Sequence, residues 1–397
     1  MQLTGYITPN HTSIFSIKCY PVFSQVSSAI SIFLTMSLRS CQPLISRWAR
    51  KQRAPAIKPY SKHGSNIKKN NQVAGSKSIV NGSNTTMAAK SVYMHRTNNI
   101  AKVPNVPSKE AKSFSIHLME VTDVDSRDKG KTELVPEYVN DIYGHLWSLE
   151  NKHFVDNDFL EGQACSPWMR AMVIDWLIQL QVGFCLLPET LYLTVGIMDR
   201  FLQVDRTIPC EQLQLVAVSA MFIASKYEET EAPHIETFEY ITDNAFTKSE
   251  ILSMEIRILT GIKCYVSFPL SLHFLRRDSK VGCVSPATHT LAKYLLELCL
   301  TEYSMCHLKP SIQAAAALCL SMKLLGGQKW TDNLVYYSRY SEADLTLVMR
   351  QIAAIVKKSN TGKHQAARNK FSSEQYACIS LIPHLKSKFI ASLAAKA

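Results

Sequence analysis

No aspartate or glutamate occurs among the first 109 residues, although the chain as a whole carries 32 of them against 44 lysines and arginines. Fifteen of the basic residues fall in that acid-free stretch, which leaves 29 basic against 32 acidic residues for the remainder. The net charge of +12 therefore belongs to one end of the chain and not to its body. A nucleic-acid-binding domain needs its cations on a folded face. A near-neutral body offers none, so no nucleic-acid partner is expected. Metal and disulfide chemistry are equally short of material. The 11 cysteines include no C-x-x-C pair, the nearest two being Cys299 and Cys306, and no Cys/His group has ligand spacing. Most lie in apolar runs, where a free thiol behaves as a small hydrophobe. This suits a reducing compartment, in which sequons such as those at Asn10 and Asn84 are accidental, and no cofactor is expected. Long hydrophobic runs are missing too. The uncharged stretch from Cys19 to Leu38 contains Pro21 and five serines, too polar for a membrane span of about 20 apolar residues. Its basic cluster, Arg39 to Arg53, follows it, whereas a signal peptide puts the basic region in front; an organelle-targeting leader is the minority reading. There is no G-x-x-x-x-G-K-[ST] loop, G-x-G-x-x-G turn, H-E-x-x-H or G-x-S-x-G. No enzyme is expected.

What is present is helical. Residues 1–130, rich in Ser, Asn, Lys and Gly, cannot bury enough surface to offset chain entropy and read as a disordered basic regulatory tail. Tyr138, Ile142, Leu146 and Leu149 then fall at helical spacing. From Ser166 onward apolar stretches of helical length follow one another, with Pro188, Pro209, Pro233, Pro269, Pro286 and Pro310 near their starts. Sustained alternation of the strand type is absent, and the body reads as all-α. An internal repeat sets the architecture: Ala220–Lys226 (AMFIASK) aligns with Ala317–Lys323 (ALCLSMK) at an offset of 97, and Thr190-Leu191 with Thr290-Leu291 at an offset of 100. Small residues let helices approach closely, so each copy suits the centre of a bundle. The expectation is two tandem five-helix bundles, residues 131–265 with a preceding helix and residues 266–390.

The helix beginning at Ser166-Pro167 has an N-cap serine and a proline at its first position. Met169, Met172, Val173 and Trp176 make one stripe, and Ile174, Leu177 and Ile178 widen it beyond the arc of a half-exposed helix. Central burial explains this blandly, and periodicity alone favours it; a docking groove left open on part of the arc is the functional alternative.

Met169–Leu177 (MRAMVIDWL), Glu189–Tyr192 (ETLY), Asp199–Phe201 (DRF), Leu213–Val216 (LQLV) and Ala224–Glu229 (ASKYEE) resemble the signature of the cyclin box. Tyr240–Asn244 (YITDN), His273–Arg277 (HFLRR) and His289–Tyr294 (HTLAKY) are similar to the B-type branch in particular. The resemblance covers about residues 134–390, and so many motifs in order make it specific. It implies a non-catalytic subunit that forms a heterodimer with a mitotic cyclin-dependent kinase, activates it at the G2/M transition and shuttles between cytoplasm and nucleus. Lys226 and Glu255, with Tyr227, Glu228 and Glu229 beside them, match the contact to the kinase's mobile helix. That helix carries a glutamate which must pair with a strand lysine before phosphates are positioned. Unaided, Lys226 reads as a cation at a helix C-terminus and Glu255 as a surface charge. The resemblance also makes Met169, Met172, Val173, Trp176 and Gln214 a docking patch for Arg-x-Leu segments of substrates and inhibitors. Gln179 stands where some A-type members have an acid, so basic residues in the docked segment should matter less.

A third constellation comes from spacing. His289 and Lys293 are i, i+4 neighbours on a helix face, and Arg276-Arg277 begin the preceding loop; if that loop folds back, convergence of Arg276, His289 and Lys293 would suit a phosphate, while a solvated basic face is the ordinary reading. Two features depart from the family. No Arg-x-x-Leu or Lys-Glu-Asn degradation signal occurs, and the linker Gly261–Phe268 lacks the usual aromatic near Cys264, a role left to Tyr265 or Phe268. The rival readings are a transcription factor of the same double-bundle form and a transcriptional cyclin.

Overall fold

The computed structural model describes residues 121–131 and 134–396. The acid-free segment lies outside them, and with it residues 1–120 of the expected tail, the sequons and the Cys19–Leu38 stretch; residues 121–130, expected to belong to the disordered tail, are instead ordered, because buried Asp125 and Asp128 find cationic partners on the second bundle. The described residues contain helices and no strand. Helix α1 (Val139–Glu150) precedes a set of five: α2 (Pro167–Gly183), α3 (Pro188–Val204), α4 (Leu213–Glu228), α5 (Ile235–Ile241) and α6 (Lys248–Gly261). A second set repeats the pattern, down to the short fourth member: α7 (Ser271–Val281), α8 (Pro286–Thr301), α9 (Pro310–Leu325), α10 (Asp332–Ser338) and α11 (Glu342–Ser359). Short helices α12 (Ala366–Lys370) and α13 (Lys388–Ala394) follow. None of these helices is long and apolar enough to cross a membrane.

The helix starts follow from local chemistry. Ser166 accepts from the Met169 N–H at 3.3 Å with Pro167 at the first position of α2, and Ser285 with Pro286 does the same for α8. Capping boxes, Thr247 with Glu250 and Ser341 with Asp344, open α6 and α11. Each satisfies amide groups that the first helical turn leaves without partners.

The repeated helices are the bundle centres. Every residue from Leu215 to Ser225 in α4 and from Ala314 to Met322 in α9 is buried. Alanines and serines along both let α3 and α6 close on α4, and α7, α8 and α11 close on α9.

Helix α1 precedes the first bundle in sequence but places its aromatic side chains on the second. Tyr143 and Trp147 both lie against Phe274, the Tyr143 hydroxyl donates to the His273 carbonyl at 2.9 Å, and Glu150 accepts from the Ser311 hydroxyl and amide at the start of α9. The segment before α1 is strapped to the same bundle. Buried Asp125 accepts both forks of Arg277 at 2.6 Å and Lys280 at 2.8 Å, and Asp128 pairs with Lys280. Burial opposes ionisation of Asp125, but hydrogen bonds from Arg277 and Lys280 hold its carboxyl below the usual range, and those from Lys280 and Lys131 do the same for Asp128. The C-terminal segment closes the seam between the bundles: the Ala366 amide donates to Asp175 of α2 at 2.8 Å, and Lys370 donates to both oxygens of Glu297 in α8 at 2.6–2.8 Å.

Both side chains of the Lys370–Glu297 pair are within a few per cent of full burial. Lys370→Met should therefore cost about 3–5 kcal/mol in urea unfolding by leaving a carboxylate alone in the interior, and adding Glu297→Leu should recover most of that loss.

Candidate functional site

Three surfaces gather the residues singled out by sequence. The first lies where α4 ends beside α6. Lys226 is the first charged residue after the buried run of α4, and its ammonium both pairs with the Glu255 carboxylate and sits 4.0 Å from the centre of the Phe222 ring. Glu255 is drawn inward because it shares the stripe Ile251, Met254, Glu255, Ile258 that α6 buries. Tyr227 stands out into solvent beside Lys226. Glu228 is half-buried, and burial together with the like charge of Glu229 raises its carboxyl above the usual range. Glu229 turns away to the start of α3, where it accepts the Leu187 amide at 2.7 Å and the Thr190 hydroxyl. The structure thus brings Lys226, Tyr227 and Glu255 to one surface and employs Glu229 inside the chain.

Sequence reasoning missed two neighbours. Leu252 and Ile256, one turn apart on α6 and flanking Glu255, are 44% and 67% exposed. Their signal was available: both are apolar positions outside the buried stripe of an amphipathic helix.

The second surface is the outer side of α2. The wide apolar arc divides, with Ile174, Leu177 and Ile178 in the core, Met169, Met172 and Val173 half-buried, and Gln214 half-buried at the first turn of α4. Trp176 is only 6% exposed, and its indole N–H is buried with no hydrogen-bond partner among the described residues. It forms a floor more than a wall. Gln179 donates to Asp175 at 3.4 Å, beneath this face.

The third is on the second bundle. Arg276 and Ser279 lie one turn apart on α7, and His289 and Lys293 one turn apart on α8. The Ser279 hydroxyl and His289 Nδ1 are 2.8 Å apart. Burial and the charges of Lys293 and Arg276 lower the His289 pKa. Lys293 is likewise lowered, by burial and by Lys370 and Arg276. Arg276 reaches across to pair with Glu189 on α3. The three residues lie close together, but Arg276 arrives from the middle of α7 and not from a loop folded back as expected, whereas Arg277 points the other way, into the strap.

In the linker, the Phe268 ring is held under the Arg200 guanidinium, 4.4 Å from it, and lies so close to Gly196 that any Cβ there would overlap it. Tyr265 remains exposed beside His153. No group of three or more potential metal ligands occurs among the described residues.

Both bundles match known families over these surfaces. Residues 141–267 match the N-terminal domain of cyclins and residues 269–385 the C-terminal domain. In the solved structures, a viral cyclin from herpesvirus saimiri shares the fold, with a TM-score of 0.50 at 20% identity over 54% of this chain and 96% of its own. The chain is 50% identical over 291 residues to a G2/mitotic-specific cyclin-B of Spisula solidissima, covering 73% of this chain and 67% of that one. It is 47% identical to the G2/mitotic-specific cyclin-B1 of Xenopus laevis, covering 73% of each. The chain belongs to the cyclin family, on its B-type, G2/mitotic-specific branch. These relatives do not favour the two transcriptional readings.

The Lys226–Glu255 pair contributes little to the fold itself, since Lys226 keeps 43% of its side chain in solvent. Lys226→Met should lower the unfolding free energy by less than about 1 kcal/mol in urea titration; a loss several times larger would make the pair a structural tie.

Proposed function

We propose that this chain is the regulatory subunit of a mitotic cyclin-dependent protein kinase, binding the catalytic subunit and holding it in its active arrangement at the G2/M transition. The observation that carries this reading is the charged pair at the junction of α4 and α6, set among exposed Tyr227, Leu252 and Ile256 in a chain of the B-type branch. A large partner is well suited to such a surface: apolar side chains supply area and the central pair supplies direction. A subunit without chemistry of its own raises a rate by binding the active arrangement of its partner better than the inactive one. The pair would meet the kinase's mobile helix and favour the position in which that helix completes the phosphate-binding site.

Two further contacts belong to this reading. Met169, Met172, Val173 and Gln214 over the Trp176 floor form a shallow, adaptable apolar face for Arg-x-Leu segments of substrates and inhibitors; thioethers conform to varied partners, and a glutamine amide bonds an extended backbone. Arg276, His289 and Lys293 form an anion seat for a phosphorylated partner. Lys293 has no ion-pair partner within 4.0 Å among the described residues and is half-buried beside other cations, an arrangement that an arriving anion relieves. Passage between cytoplasm and nucleus is the corresponding expectation for location.

The test is phosphate transfer by an activation-loop-phosphorylated mitotic kinase subunit to a basic Ser/Thr-Pro peptide. The full chain should stimulate it strongly, and Glu255→Lys should remove at least about nine-tenths of the stimulation. The exchanged pair, Lys226→Glu with Glu255→Lys, restores the internal attraction but reverses what a partner meets. It should melt like the original and still fail to stimulate; recovered stimulation would mean that the pair acts only within this chain.

A further inference from the structure

We propose that His289 fits the cation cluster to a doubly charged phosphate by taking up a proton as the anion arrives, so that the seat prefers a phosphomonoester dianion to a carboxylate. This inference rests on reading Arg276, His289 and Lys293 as an anion seat.

A small set of charges surrounds this imidazole. His289 lies on α8 with Ser279 of α7 at 2.8 Å from its Nδ1. The charges that bear on it are those of Lys293, one turn further along α8, and Arg276, one turn before Ser279 on α7. Behind these stand two internal carboxylates. Glu189 of α3 pairs with Arg276, and buried Glu297 of α8 is taken by Lys370 of α12. With Arg276 and Lys370 each balanced, Lys293 is the one net charge of the cluster among the described residues, and His289 is neutral because burial and both cations oppose its protonation.

A carboxylate entering this cluster is matched by Lys293 alone. A phosphate dianion brings one charge more than the empty site can neutralise. The cations that keep His289 neutral are the ones such a ligand screens, so its arrival lifts the proton affinity of the ring at the moment when a further positive charge is favourable. Protonated, His289 gains a second N–H donor for a ligand oxygen. In this proposal Nδ1–H of the neutral ring donates to the Ser279 hydroxyl oxygen, so that Nε2 is the bare nitrogen and takes the added proton on the side left to face the anion. By linkage the effect is reciprocal: if the dianion raises the affinity of His289 for a proton, protonation raises the affinity for the dianion by the same factor. Binding should therefore strengthen as pH falls.

Sulfate is the probe, because it remains a dianion across the range in which histidine titrates. The full chain, labelled at the histidine ring carbons, is titrated by NMR in sulfate, acetate and nitrate at equal ionic strength. His289→Gln identifies the resonance among the chain's 12 histidines. At pH 8, where the ring is neutral, a saturable shift of this resonance by sulfate reads binding itself. The titration midpoint reads the proton. Sulfate should raise the midpoint by about one pH unit relative to nitrate, a tenfold change in affinity between the two protonation states, and acetate should raise it by less than about a third of that. Lys293→Gln should abolish both the saturable shift and the midpoint change. A saturable, Lys293-dependent shift with an unmoved midpoint would leave the anion seat standing and overturn the role given to His289. An equal rise in acetate would overturn the preference for a dianion. No saturable shift, or one that survives Lys293→Gln, would remove the seat and the inference with it.

Discussion

The arrangement of the two bundles turns on one buried guanidinium. Arg170 is 1% exposed, in the first turn of an apolar helix, and gives two donors to Asp199 of α3 at 2.6–2.7 Å and a third to the Leu300 carbonyl of α8 at 3.0 Å. Its carboxylate partner holds the guanidinium protonated in spite of burial. A charge taken out of water costs several kcal/mol unless its hydrogen bonds are remade, and here they are remade by groups from both bundles. Hydrophobic contact would let α2 slide or turn against α8 at small cost; the fork of Arg170 does not. One consequence is outward. With Arg170 and Asp175 both turned in, the half-buried face carrying Met169, Met172 and Val173 is left on the outer side of α2, so the proposed docking face is the reverse side of the seam.

Similar directional ties fasten the strap, α1 and α12, while α13 is held on α11 by apolar packing around Ile390. Asp125 meets Arg277, Glu150 meets the start of α9, and Lys370 meets Glu297. Each lies at a boundary where helices meet at few points and apolar area alone would specify position weakly. The bundle centres, by contrast, are dry. Between Leu215 and Ser225 no charged residue occurs, and packing of small side chains sets the helix spacing. Area makes each bundle compact, and a handful of paired charges decides how bundles, strap and C-terminal segment sit on one another.

This division explains what could be read from sequence. The repeat was legible because α4 and α9 are buried all round and must keep the same composition, and the helix starts were legible because Ser166, Pro167, Thr247 and Glu250 act within one turn. The cluster of Arg276, His289 and Lys293 could be anticipated because two of its members share a helix face. The partner of α1 could not. Its stripe says that one side is covered and does not say by what, and the covering side chains lie in a bundle that begins more than a hundred residues later. Asp125 and Arg277 are 152 residues apart, and Asp175 and Ala366 are 191 apart; such pairs leave no local pattern. Arg170 was visible as a charge in an apolar run and required a buried partner, but nothing in its surroundings named Asp199. Glu229 sits in a motif that suggested an outward role, and only the fold shows the bare start of α3 within its reach.

Glu229 also bears on how the proposed surfaces relate. It follows Lys226 and Tyr227 by a few residues and holds the Leu187 amide and the Thr190 hydroxyl at the first turn of α3. The same turn carries Glu189, which holds Arg276. The proposed kinase contact and the proposed anion seat are thus joined through one helix end by three carboxylate contacts, with no flexible loop between them. Lying between two sites does not couple them, since coupling needs an element with two arrangements that both sites bias. What this strut supplies is a fixed spacing. A phosphate seated at Lys293 would stand at a set distance and direction from a kinase held at Lys226, and a phosphorylated partner with a short tether would be presented in one orientation. Because Glu189 spans from the first bundle to the second, that spacing is kept only while the bundles keep their register, which returns the geometry of both surfaces to the guanidinium at the seam.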